Sequence, residues 1–155
     1  MMMINFLKTL IWMVVPILLA AFPGEDAVIS ALPRYETSVF YTTGEFQDFT
    51  DYGVYTYESV SADELTATGY FSEADSEDVA ELLDYVANFE EWVAAVGGEL
   101  EENYNFDASV VSEGDYFYID TKYDPEGVYS GKFDHYTIYF FDVEQMTLYY
   151  FHSNI

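Results

Sequence analysis

Between Asp75 and the Gly97-Gly98 pair, Val79, Leu82, Leu83, Val86, Phe89, Val93 and Val96 recur at three- and four-residue steps. That period puts them on one face of a helix, so the spacing predicts an amphipathic helix over residues 76–96. Asp75 can accept from the free N–H groups of the first turn, Asp78 can answer as a capping-box partner, and Glu77 adds negative charge at the positive end of the helix dipole. Gly97-Gly98 ends the helix, because glycine enters the left-handed conformation without a steric penalty. A helix this apolar on one side has to bury that side, and the remaining chain must supply the layer that covers it.

Four segments can supply it. Residues 36–43 (ETSVFYTT) are β-branched and aromatic and stop at Gly44, and residues 116–123 (YFYIDTKY), 135–141 (HYTIYFF) and 146–152 (MTLYYFH) read as three consecutive strands. Pro125, Gly127 and Gly131 mark 124–134 as a long hairpin loop, and 142–145 fits a short hairpin connection. In residues 46–58, Phe46, Phe49, Tyr52 and Tyr55 fall at helical spacing, which predicts a short helix, although Tyr55 and Tyr57 also alternate as in a strand. Residues 59–73 read as connection anchored by Tyr70-Phe71, and 99–115 as a polar segment with anchors at Tyr104, Phe106 and Val110-Val111. The expected fold is α+β: a small antiparallel sheet of one N-terminal strand plus the three C-terminal ones, packed on the helix of about 76–96. The middle C-terminal strand carries aromatics on both faces, so one face packs on the helix and the other is either half solvated by tyrosine hydroxyls or covered by another segment.

The first 23 residues differ from the rest, holding no acid and the single cation Lys8. A short n-region followed by the 13-residue apolar run 10–22 has the layout of an export signal. The alternative is a membrane anchor over residues 4–22, which would have to include Asn5, Lys8 and Thr9 and accept Pro16. Cleavage is expected after the Ala20-Ala21 region, with a later site at Val28-Ile29-Ser30 as the other option. The expected organisation is a leader over 1–23 and one acidic domain over 24–155.

With the leader set aside, Arg34, Lys122 and Lys132 face 29 Asp+Glu, a formal balance of 3 − 29 = −26. Such a surface argues against nucleic acid and anionic membrane as direct partners. At 51% hydrophobic and 20% aromatic residues the chain is too apolar to be a disordered acidic tail. The absence of cysteine excludes disulfides, thiolate metal sites, thiol catalysis and a lipid-modified cysteine.

Motifs for nucleophilic, zinc-protease or phosphate chemistry do not occur. His135 and His152 lie on the last two expected strands, where they would form a metal pair or place a general base only if they face one another. The segment Asp120, Asp124, Glu126 offers oxygen ligands for a hard cation, but it lacks EF-hand spacing and contains Lys122. No cofactor is expected beyond weak divalent-cation association. Tyr139, Phe141, Tyr149 and Phe151 would line an aromatic contact face if they share one side of the sheet.

The residues are therefore read as an exported, non-enzymatic acidic binding protein whose ligand is a protein or a glycan, met by an aromatic sheet face or by the acidic surface. The alternatives are an inhibitor or immunity-like polyanion mimic and a carboxylate-dependent hydrolase. A domain this acidic is expected to melt at a higher temperature as salt screens its self-repulsion over about 8 Å at physiological ionic strength. Calcium is expected to raise the melting temperature beyond sodium chloride of matched ionic strength; identical curves in the two salts would remove the divalent contribution.

Overall fold

The computed structural model of the chain describes residues 26–45 and 48–155, and the leader expected over residues 1–23 lies outside them. The element order is α1 (Ala27–Ser30), β1 (Thr37–Glu45), β2 (Asp48–Thr56), α2 (Ala62–Ala67), β3 (Ser72–Glu73), α3 (Ser76–Val96), α4 (Gly98–Asn103), β4 (Tyr116–Thr121), β5 (His135–Asp142) and β6 (Thr147–Asn154), with a 3-10 turn at Ala108–Val110. The class is α+β. The sheet has six strands, two more than the sequence suggests, in the order β1-β2-β6-β5-β4-β3, and every neighbouring pair is antiparallel.

Helix α3 occupies the range its spacing predicts. Asp75 accepts from the backbone N–H groups of Glu77 and Asp78 while Asp78 accepts from that of Asp75, a reciprocal capping box, and Gly97 sits at φ 62°. Residues 48–56 of the stretch expected to be helical are instead strand β2, paired along its length with β1 from Thr37↔Thr56 to Glu45↔Asp48; residues 46 and 47 lie outside the described residues. The reason is that β2 is apolar on both sides: Tyr52 and Val54 turn to one face, Phe49 and Tyr55 to the other. A strand buried twice loses its alternation, and three-residue aromatic steps then imitate a helix.

The segment 59–73 also holds more than connection. Ser61 and Glu64 make a capping box at the start of α2, and β3 pairs Ser72 and Glu73 with Phe117 and Tyr116. At the β5–β6 turn the Asp142 carboxylate accepts from the N–H groups of Glu144 and Gln145, and Met146 takes φ 49° as the chain enters β6.

Both faces of the sheet carry a core, the second over part of its length. On one, Leu82, Tyr85, Val86, Phe89 and Val93 of α3, together with Leu100, Phe106 and Val111, pack with Tyr52, Tyr136, Ile138, Phe140 and Phe151. Tyrosine hydroxyls tie this layer down: Tyr136 donates to Asn88 at 2.9 Å and Tyr52 to Asn105 at 2.9 Å. On the other face, Val28, Ile29 and Leu32 together with Tyr57, Val60, Leu65 and Phe71 cover Tyr116, Tyr139, Phe141 and Leu148. Asp26 holds this cover in place, accepting from Val28 and Ile29 N–H with one oxygen and from the Tyr139 hydroxyl at 2.6 Å with the other. Cleavage after Ser30 would strip Val28 and Ile29 from this core.

Two buried cores predict two comparable penalties. Phe151→Ala, on the α3 side, and Phe141→Ala, on the α1–α2 side, are each expected to cost about 3–5 kcal/mol in urea unfolding. A loss below about 1 kcal/mol at Phe141 would mean that the second face is not a core.

Candidate binding surface

The second cover stops short of one end of the sheet. Residues paired across antiparallel strands share a face, and on the α1–α2 face the far end presents Phe40 and Thr42 of β1, Phe49 and Asp51 of β2, Tyr150 and His152 of β6, and His135 and Thr137 of β5. Their rings form a continuous ladder across the strands. Phe40 lies 5.8 Å from Tyr150, Tyr150 stacks on His152 at 6.5 Å, His152 meets His135 edge-on at 5.3 Å, and His135 meets Tyr129 at 5.2 Å. Lys122 stands 5.9 Å over the Tyr129 ring and closes the series with a cation–π contact.

Gly53 makes the first rung. A Cβ there would lie 3.1 Å from the Phe40 ring and 3.0 Å from that of Tyr55, so the missing side chain lets Phe40 lie across β2 toward Tyr150.

The two histidines are diagonal neighbours on one face, His135 opposite Asn154 and His152 opposite Thr137. His152 Nδ1 is 2.8 Å from Thr137 Oγ1, while the buried Nδ1 of His135 has no partner. Burial, reinforced by His135 and Lys122, holds His152 at about 4, and His135 is lowered by burial and by Lys122. Both are neutral at neutral pH. Beside them Asp51 is 8% exposed, its Oδ1 has no partner, and burial raises its pKa against the opposing effect of a Thr42 hydrogen bond. Among the described residues no group of three or more His, Asp or Glu side chains is placed to hold a metal ion.

The other candidate residues are dispersed. Register places Tyr139 beside Tyr150 and Phe141 beside Leu148 on the α1–α2 face, and Tyr149 beside Phe140 and Phe151 beside Ile138 on the α3 face. The four therefore share no face. Tyr139, Phe141 and Phe151 are buried, and Tyr149 is half-buried against Phe106, whose ring is 4.7 Å away. Asp120 lies on β4 opposite Thr137, whereas Asp124 and Glu126 sit in an exposed turn in which the Asp124 carboxylate accepts from Glu126 N–H.

A polar cleft between residues 109–115 and 142–145 contains two buried acids, Asp115 and Asp142. Both are engaged by their own loops: Asp115 accepts from Ser112 N–H, Ser112 Oγ and Val143 N–H, and Asp142 from the two turn amides. Carboxylates committed in this way clamp loops and are poorly placed for proton transfer to a substrate.

Strand β1 adjoins the ring ladder and forms one edge of the sheet among the described residues. Residues 37–44 carry no charge and no proline, and residues 37–40 are exposed on both sides of the strand, with Val39 at 48% and Phe40 at 50%. The uncharged run between Glu36 and Glu45 is the sequence signal for this surface, but it identifies an edge only once the pairing is known. No protein-family model, no curated protein and no solved structure matches the chain.

The folded pKa of His152, about 4, lies below its ordinary 6.5. The unfolded chain therefore binds more protons between these values, and the His152 contribution is complete above about pH 6.5 and lost as pH falls toward about 4. Asp51 has the opposite sign, so the contribution is isolated by difference. Unfolding free energy of the native chain is expected to fall on acidification by about 1–2 kcal/mol more than that of His152→Gln. Parallel pH profiles would mean that His152 is not held neutral by burial.

Proposed function

We propose that the chain is an exported, non-enzymatic binding module that meets a protein partner through β1 and the adjoining ring ladder, while its acidic surface turns polyanions away. The observation that carries this reading is the uncharged strand 37–44, exposed on both sides over residues 37–40, at the sheet edge of a domain in which acids outnumber bases by 29 to 3. Sheet edges are ordinarily blunted by charge, proline or shortness. Here the edge is nine residues long, and the Phe40, Tyr150 and Phe49 rings beside it supply adaptable contact area at low entropy cost.

A polyanion mimic is the second reading. It is supported by the acids of α3 and α4, of which Asp84 meets Lys132 at 3.6 Å in the ion pair found among the described residues. The two readings place the partner on different surfaces.

A photo-crosslinking residue at Phe40 and, separately, at Leu83 on the exposed side of α3 distinguishes them in the producing cell. Position 40 is expected to give one dominant covalent adduct and position 83 none. A dominant adduct at 83 alone transfers the function to the acidic helix, and adducts at neither position end the binding-module reading.

A further inference from the structure

Edge exposure alone does not name an occupant, but charge does. The β1 edge is preceded by Glu36 and backed by Asp48 and Asp51 on β2. A second copy would bring another domain with a balance of −26 against the first, whereas a cationic segment gains from every one of these groups. Asp51 adds an observation of a different kind: it is more than nine-tenths buried, lies one strand in from the edge opposite Thr42, and leaves Oδ1 without a partner. A buried carboxylate oxygen left without a donor is costly. A Lys or Arg side chain crossing Thr42 from a strand laid against β1 would provide the missing donor.

We propose that β1 receives an extended, basic segment of another protein as a seventh strand, and that a Lys or Arg of that segment engages Asp51. Backbone hydrogen bonds to the open edge supply affinity, alternate side chains read Val39 on one face and Phe40 on the other, and cationic residues set the polarity of the choice. The inference deepens the binding-module reading and rests on it.

The probe is a labelled Lys-Lys-Thr-Val-Thr-Val-Thr-Val-Lys-Lys peptide titrated against the full chain by fluorescence anisotropy. Saturable binding is expected, weakened at least about tenfold when Glu replaces the flanking lysines. N-methylation of one alternate set of backbone amides is expected to abolish binding and methylation of the other set to leave it within about threefold, because only alternate amides face a partner strand. The protein variants Val39→Lys and Phe40→Lys are expected to weaken binding about tenfold or more, and Asp51→Asn several-fold with an unchanged or raised melting temperature.

Equal effects of the two methylation patterns, or equal binding of the Glu-flanked peptide, would overturn the inference. So would a concentration-dependent dimer lost in Val39→Lys, which makes the occupant a second copy. Hydrogen-exchange protection of every β1 amide in the peptide-free monomer would overturn it too, because the chain would then cover its own edge. A crosslink at position 40 without peptide binding sinks this inference alone and leaves the binding module standing; loss of the crosslink removes both.

Discussion

Strand β6 lies between β2 and β5 and is the link that makes one sheet of two hairpins. Its residues alternate between two cores: Tyr149 and Phe151 face α3, while Leu148 faces the α1–α2 side and Tyr150 packs there with it. A strand apolar on both sides has to be covered twice, and the rest of the architecture answers that requirement. One helix of 21 residues covers one face. The other is assembled from short pieces, residues 26–32 and 57–71, that could not order alone and are fixed by burial of Leu65 and Phe71 and by the Asp26–Tyr139 hydrogen bond. Because β6 must find β2 across some ninety residues, from Thr56 to Thr147, the sheet closes through a non-local pairing, the kind that forms slowly.

The scarcity of cations shapes how polar groups are satisfied. Asp26, Asp75, Asp107, Asp115, Asp124 and Asp142 all spend carboxylate oxygens on backbone N–H groups at helix starts and turns. Tyrosine supplies uncharged donors where another protein would use lysine or arginine: Tyr104 donates to Glu90 and Tyr139 to Asp26. With 16 tyrosines against 4 lysines and arginines, the aromatic and acidic biases of the chain are two parts of one hydrogen-bonding economy. Asp51 is served only in part, by a Thr42 hydrogen bond, and its Oδ1 has no partner.

What was legible in the sequence follows the same division. Helix α3 has one apolar and one polar face, so its period, its Asp75 cap and its glycine end could be read directly. The C-terminal strands were legible from their β-branched and aromatic content to within two residues at their ends. Strand β2 was not, because two buried faces erase alternation and leave Phe49, Tyr52 and Tyr55 at a spacing that mimics a helix. The Ser61-x-x-Glu64 box that starts α2 is present in the sequence, but only six residues follow it and Leu65 alone of them is buried, so no periodicity accompanied the signal. Grouping Tyr139, Phe141, Tyr149 and Phe151 required the register across the β5–β6 turn, which sets them on opposite faces. The facing of His135 and His152 was conditional on that same register, which brings them together. That residues 37–44 form an edge depends on pairings made by a strand a hundred residues away, and no local pattern contains it.

The two ends of the sheet are managed differently, and the difference bears on selectivity. Strand β3, two residues long and containing Glu73, is too short and too charged to template another strand. Strand β1 has neither protection, yet it belongs to a domain whose copies repel one another. Screening at physiological salt confines that repulsion to about 8 Å, so charges tens of ångströms away contribute little to it. The acids that matter are those nearest the edge: Glu36 immediately before β1, and Asp48 and Asp51 on β2, about two spacings of about 4.8 Å from a strand laid against β1. In the proposed docking, acids around an uncharged strand leave the pairing edge open and set the sign of what pairs with it: a copy of the same edge brings like charges together, and a basic strand brings opposite ones. In the proposed binding module the acidic composition and the unguarded edge work together, because each without the other would give either no docking site or one that aggregates.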